Sequence, residues 1–295
     1  MNFRKLTSTE YPQWEELVRE SPQGSIFCSL KWLELFDNEI FGCFREGHLI
    51  GGMAGINGKQ FLSGGYALTP YQGIVVCDQQ DTKYANRLSL FGEICDSFIE
   101  FTKQELVGKQ ISIVNHYNAR DMRPFIWDNW EQFIKYTFII DTTDLLQVWA
   151  NMEKDTRYEI TKAQKSGIKI MEGDVETFDK LYVETFSRKG LGRPISSVFL
   201  FKLCERLQAK IYLALNKGIA SAGAVAIWDD SCSYYILGAS NPDTLGDGAT
   251  SLALWTLIED QKGGQIDLVG CNDKKIGLFK RGFGSKLMPY FGVRK

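Results

Sequence analysis

Two adjacent cations near the end of the chain, Lys280 and Arg281, stand between Phe279 and Phe283 and among the glycines Gly277, Gly282 and Gly284. An ammonium held beside aromatic rings, away from water, can stabilise a developing oxyanion, so this spacing suits work on an acyl carbonyl or a phosphate. Asp267, flanked by Ile266 and Leu268 on a short apolar run, offers a carboxylate as base or as a group that orients Lys280. Residues 233–240 read as a strand ending in the small residues Gly238, Ala239 and Ser240; on it Tyr234 and Tyr235 must point to opposite faces. One of the two tyrosines can line a cleft while the other joins the core. Each candidate also has a purely structural alternative: a solvated lysine after a turn, or a strand-end carboxylate.

Other cations are grouped as well. Residues 154–166 form a helical pattern carrying Lys154, Arg157, Lys162 and Lys165 and stopped by Gly167, which is either a surface for an anionic substrate or a solvated face complementing the helix C-terminus. Arg188, Lys189 and Arg193 form a basic loop. The histidines, His48 and His116, are not spaced as metal ligands, and neither a Gly-x-x-x-x-Gly-Lys-Ser/Thr loop nor a Gly-x-Gly-x-x-Gly turn occurs. Metal, histidine-triad, nucleotide and dinucleotide chemistry therefore have no support, and no metal site is expected.

These groups need elements to position them. In the first half, helices are expected at residues 11–20, 30–38 and 82–105, with strand-rich sequence at 42–76, including an Asn57-Gly58 hairpin signal, and strands at 110–115 and 135–141. The second half repeats the grammar: helices at 145–152, 154–166, 174–188, 196–207 and 248–261, strands at 211–215, 220–228, 233–238 and 264–270, then a glycine-broken cationic loop at 276–284. Residues 47–56 align without gaps to 218–227, matching at Gly47/Gly218, Gly52/Gly223 and Ile56/Ile227, a faint internal repeat at a hairpin. With 295 residues, 44% of them apolar, the chain is long enough for two cores, divided as 1–136 and 137–295, with the second domain carrying the active site.

A net charge of −2 gives no global attraction to polyanions, so any contact with tRNA or anionic lipid must be local, and DNA binding is not expected. The N-terminus lacks an apolar leader, and no run approaches the length of a membrane-spanning helix, which predicts a cytoplasmic protein. Seven scattered cysteines without Cys-x-x-Cys pairs predict reduced, mostly buried thiols.

The order Tyr234-Tyr235-x-Leu237-Gly238-Ala239-Ser240, Leu254-Trp255, Asp267-Leu268-x-Gly270 and Gly277-x-Phe279-Lys280-x-x-Phe283-Gly284 resembles the Fem-type peptidoglycan aminoacyltransferases, which are pairs of GNAT acyltransferase domains. Residues 157–167, Arg-Tyr-Glu-Ile-Thr-Lys-Ala-Gln-Lys-Ser-Gly, are similar to a helix of the same family, and residues 25–32 match more weakly. The resemblance implies an α/β (α+β) fold of tandem GNAT-like domains, each a mixed, mostly antiparallel sheet flanked by helices. It implies acyl or aminoacyl transfer to an amine or hydroxyl of a cell-envelope or polysaccharide precursor. The implied catalytic set is Lys280, Asp267, Tyr235 and Tyr234; Arg157, Arg188, Arg193, Arg281, Phe279, Phe283 and Ser240 would bind substrate. Gly246, Gly248 and Ala249 fall where GNAT enzymes hold the acetyl-CoA pyrophosphate on helix amides.

Two departures bear on substrate. Asp243 and Asp247 place negative charge at that loop, which disfavours CoA in the usual mode and leaves the donor open between an aminoacyl-tRNA and an acyl-CoA. In the first half Phe36 stands where bridge-forming relatives carry a lysine after Ser29 and Trp32, which weakens the case for a nucleotide- or lipid-linked muropeptide. A glycan, peptide or small-molecule precursor stays open as the acceptor. So do an acetyl-CoA-dependent N-acetyltransferase and a non-catalytic binding module, and the sequence does not specify an oligomeric state.

Overall fold

The computed structural model describes residues 1–77, 82–261 and 264–295. The chain divides into two compact units, Met1–Lys135 with Pro289–Lys295, and Tyr136–Met288. The last seven residues thus belong with the first unit, whereas the sequence division assigned all of 137–295 to the second.

The first unit has strands β1 (Asn2–Lys5), β2 (Asn38–Arg45), β3 (His48–Asn57), β4 (Gln60–Ser63), β5 (Ile74–Val76) and β6 (Gln110–Val114), and the part of β13 (Lys286–Arg294) beyond residue 288. Their order is β1-β2-β3-β4-β6-β13, with β5 also on β3. All pairings are antiparallel except β4 with β6. Helices α1 (Tyr11–Glu20), α2 (Leu30–Leu33), α3 (Tyr84–Glu105) and α4 (Arg123–Trp127) flank this sheet. The second unit contains the later part of β7 (Glu131–Asp141), β8 (Lys169–Glu172), β9 (Lys210–Asn216), β10 (Ile219–Trp228), β11 (Ser233–Ser240) and β12 (Gln265–Asp267). Here the order is β7-β12-β11-β10-β9-β8, again with one parallel pair, β11 with β12. Its helices are α5 (Leu145–Asn151), α6 (Lys154–Lys165), α7 (Val175–Arg188), α8 (Ser197–Leu207), α9 (Ala249–Asp260) and α10 (Lys274–Arg281). In both units a helix, α3 or α9, connects the parallel pair, as a parallel crossover requires.

The faint repeat has a physical basis. Both hairpins close through two left-handed residues, Glu46 and Gly47 (φ 53° and 84°) in one and Lys217 and Gly218 (φ 50° and 82°) in the other. That is the primed turn matching the strand twist. Gly52 lies under the buried Trp14 of α1, where a Cβ would come within 2.9 Å of the ring; Gly223 lies under Phe178 of α7, at 2.7 Å. In each unit a glycine on the hairpin's second strand admits an aromatic anchor from a helix packed on it.

Three expectations are corrected. The helix predicted over 30–38 ends at Leu33, where the Asn38 side-chain amide caps the Leu33 carbonyl and Asn38 itself opens β2. The strand predicted over 264–270 is confined to Gln265–Asp267, because Val269 and Gly270 turn left-handed. The predicted cationic loop at 276–284 is largely the helix α10, started by the Asp273 carboxylate, which accepts from the amides of Lys275 and Ile276. The sequence reading also passed over β1, β8, α4 and β13. All seven cysteines are free, and Cys77 alone is more than slightly exposed.

Candidate active site

In the second unit β11 and β12 pair only at Ser233/Ile266 and Tyr234/Asp267, after which the chains diverge. Two features turn the β12 side away. Val269 and Gly270 are left-handed (φ 50° and 49°), and the Lys280 ammonium, on the last turn of α10, donates to the carbonyls of Leu268, Val269 and Gly270. Lys280 is only 7% exposed, so the solvated-lysine alternative fails. Its three protons match three carbonyls, and it therefore fastens the diverging loop; contact with a reacting oxyanion would require giving one bond up. Burial lowers its pKa to about 8, against the opposing pull of the Asp267 carboxylate.

Asp267 is fully buried. It accepts from the Thr137 hydroxyl and, at 2.7 Å, from the Val269 amide, so it braces the same loop. The aromatic ring facing the ammonium is that of Tyr235, 5.3 Å from the Lys280 Nζ. Phe279 and Phe283 pack edge to face on one another at 5.3 Å and join the core below α9 rather than enclosing the ammonium as the sequence suggested.

The two tyrosines separate as strand geometry demands. Tyr234 donates to Asp229 at 2.7 Å. Tyr235 lies along its own strand, and its hydroxyl crosses Gly238 so closely that a Cβ there would sit 1.9 Å away. A bulge at Ile236 makes this possible, because Val225 pairs with Leu237 and Ala226 with Tyr235. Burial pushes the Tyr235 phenol upward, so it remains protonated and can serve as an acid.

The backbone beside Tyr235 is also available. Asn241 donates to Ser221, so the alternate residues Ser240 and Gly238 turn their amides and carbonyls away from β10, towards the side that β12 has left. Thr185 of α7 occupies the Ser240 pair: its hydroxyl accepts from the Ser240 amide at 2.8 Å and lies 3.0 Å from the Ser240 carbonyl. The Gly238 amide, next to the Tyr235 hydroxyl, has no ladder partner among the described residues. Gly238 and Thr185 were not singled out from sequence; the break in strand pairing that matters at Gly238 has no residue signature, and Thr185 is one of many helix threonines.

At the start of α9, Gly246 and Gly248 are left-handed (φ 84° and 86°) and the loop rests on α6. Lys162 donates to the Gly246 carbonyl at 2.8 Å, and a Cβ on Gly248 would collide with the Glu159 carbonyl at 2.3 Å. The Asp247 carboxylate accepts from the amide of buried Ala249 at 2.8 Å, so an internal anion already holds an amide of this helix end. Asp243 is exposed in the preceding turn.

Most of the remaining predicted cations are engaged within the fold. Arg157 donates to the carbonyls of Trp149 and Ala150, closing the end of α5. Arg193 pairs with Asp179 at 3.0 Å and bonds Ser197; Arg281 pairs with Glu153 at 2.7 Å. Arg188 is exposed and makes no ion pair among the described residues.

The corresponding place in the first unit is filled. There β4 and β6 stay paired over four residues and a further bridge joins Gln72 to Asn115. Asn115 accepts from the Ile74 amide and Ser63 from the Gly73 amide, while the buried Gln72 accepts from Gly64 and donates to Phe27. Burial lowers the pKa of His116 to about 3, so it is neutral. Phe36, the departure noted in the sequence, packs on Tyr66 and Trp32.

Among the described residues no cluster of His, Cys, Asp and Glu is arranged to hold a metal, and no helix is long and apolar enough to cross a membrane. No family model matches the chain, and no curated protein matches it. Solved structures do. FemX superposes with a TM-score of 0.69 at 15% identity, covering 99% of this chain and 97% of its own. L-PGS from Bacillus licheniformis gives 0.59 at 11% identity, with 99% and 93% covered. A tandem GNAT protein from the clavulanic acid biosynthesis pathway gives 0.54 at 9%, with 100% and 98% covered. The chain thus shares the fold of FemX and of this tandem GNAT protein.

Proposed function

We propose that the chain is an acyltransferase working at the divergence of β11 and β12. It transfers an acyl or aminoacyl group to an amine or hydroxyl of a small glycan or peptide precursor of the cell envelope, in the cytoplasm. The observation that carries this reading is the juxtaposition of the Tyr235 hydroxyl with the unpaired Gly238 amide, beside a loop held open by Lys280. In this mechanism the acyl carbonyl lies along the free edge of β11 and takes a hydrogen bond from the Gly238 amide as charge develops on its oxygen. The neutral acceptor attacks the carbonyl carbon; as the bond from that carbon to the donor oxygen or sulfur breaks, the Tyr235 phenol protonates the departing group, and the phenolate then takes the proton that the acceptor nitrogen or oxygen sheds. Lys280 and Asp267 position the loop rather than touch the reacting atoms. The family likeness of the fold to FemX and to a tandem GNAT protein supports the reaction class.

The donor is an aminoacyl-tRNA, or an acyl-CoA held by contacts other than the α9 amides. Asp247 supports this reading, because its carboxylate occupies the Ala249 amide and would face a pyrophosphate with like charge. A test incubates purified protein with charged tRNA or acetyl-CoA and candidate envelope precursors, and follows acceptor mass. Transfer from acetyl-CoA at saturable, micromolar concentrations, unaffected by Asp247→Asn, would overturn the donor reading. Failure of every donor with every acceptor would favour a non-catalytic module.

A further inference from the structure

Among the described residues, two buried side-chain oxygens of the second unit find no hydrogen-bond partner: the Tyr182 hydroxyl on α7 and Ser221 Oγ on β10. Their residues are 1% and 2% exposed. Buried polar atoms without partners are rare, because each has exchanged water for nothing. We propose that Tyr182 and Ser221 are the paired hydroxyl donors of an acceptor subsite beneath α7, which takes a carbonyl or carboxylate oxygen of an amino-acid-like or peptide-like molecule. The identity of that acceptor rests on the acyl-transfer reading; the existence of the subsite does not.

Both residues belong to the layer in which α7 packs on β10 and β11. Phe178, Tyr182 and Thr185 share one face of α7 at spacings of four and three residues. Phe178 covers Gly223 of β10, and Thr185 reaches the backbone of Ser240, which pairs with Ala222. Tyr182 stands between them on the helix, over the strip of sheet that runs from Gly223 to Ser240. Ser221 is on that strip, two residues before Gly223, and it is the extra residue of a bulge against β9, where Ala220 pairs with Leu215 and Ala222 with Ala214. Bulges re-aim a side chain out of the regular pleat.

Charge selects the ligand atom. The ion pair of Arg193 with Asp179 lies close enough to act on the Tyr182 phenol, the guanidinium and the carboxylate pulling in opposite senses and the guanidinium more strongly. Burial raises that phenol to about 12, so it keeps its proton and donates. Two protonated hydroxyl donors complement an oxygen that carries negative or partial negative charge. Thr185 links this strip to Ser240, two residues from Gly238, so an acceptor anchored here lies on the same strand end as the proposed acyl carbonyl.

The test uses N-acetylglycine, which offers a carboxylate and an amide carbonyl, as the probe on the full chain and on Tyr182→Phe and Ser221→Ala. Without probe both variants should melt no lower than the wild type, since each loses only an unpartnered hydroxyl. With probe the wild-type melting temperature should rise, and either substitution should weaken probe binding roughly fivefold to tenfold. A fall in the unliganded melting temperature of both variants would overturn the proposal, because the hydroxyls would then have structural partners. So would probe binding unchanged by both substitutions, or a crystal structure in which one water bridges the two oxygens and stays when the probe is added. Probe binding lost in the variants of a protein that transfers no acyl group would keep the subsite and sink only the enzymatic reading.

Discussion

The Lys280 Nζ lies 5.3 Å from the centre of the Tyr235 ring and simultaneously binds the loop that leads β12 away from β11. One buried cation therefore both holds the loop at the strand divergence and lies against the ring whose hydroxyl crosses Gly238. Removing it exposes three carbonyls to an apolar surrounding. Lys280→Met should cost roughly 2 to 4 kcal/mol of stability, since unmatched buried acceptors are expensive, and should reduce transfer as the loop relaxes. Lys280→Arg should rescue neither property, because a planar guanidinium cannot direct its protons to three carbonyls around one point. Urea unfolding of both variants checks this; two wild-type midpoints would refute the anchoring role.

The same lysine sets a pH dependence. Its folded pKa of about 8 lies below the ordinary 10.5, so the folded protein releases this proton before the unfolded chain does. Across that window the unfolded state holds more protons and this group's contribution to stability rises with pH; below about pH 8 its contribution is constant. Transfer should instead decline above about pH 8 as the ammonium loses a loop-holding proton. An NMR titration of the Lys280 side chain is the direct check, and a midpoint near 10.5 would contradict the burial account.

Much of this organisation was legible in the residues. The helix at 11–20 and the hairpin repeat follow from period and turn chemistry, and the structure gives the repeat its reason in Trp14 over Gly52 and Phe178 over Gly223. The site was less legible. Gly277, Gly282 and Gly284 disguised α10 as a loop, although Asp273 was available as its N-cap. Lys280 was marked from its neighbours in sequence, but its partners are backbone carbonyls, which carry no residue code. Arg157, Arg193 and Arg281 looked like substrate cations because composition does not show that carbonyls, Asp179 and Glu153 await them in space.

The glycine anchors should be intolerant of a methyl group. Gly223→Ala would press on the Phe178 ring at 2.7 Å and should cost about 1 to 3 kcal/mol. Gly52→Ala should cost more, since its Cβ would meet the Phe41 carbonyl at 2.3 Å and a backbone atom yields less than a ring. Thermal melts would show this order; equal stability in both variants would contradict it.

Asp247 should act against CoA. Asp247→Ala frees the Ala249 amide and removes a negative charge, so acetyl-CoA affinity should rise about tenfold from a weak wild-type value. Calorimetry at moderate salt measures both, and tight wild-type binding would reverse the argument.

The central claim is that Tyr235, beside the free Gly238 amide, supplies the proton in acyl transfer. Its most direct test is the rate at which acceptor mass increases, measured for wild type and Tyr235→Phe with the same donor and acceptor. The account predicts a fall of roughly 100-fold, the scale of losing a positioned general acid, with the melting temperature essentially unchanged. Equal rates in the two proteins would contradict it.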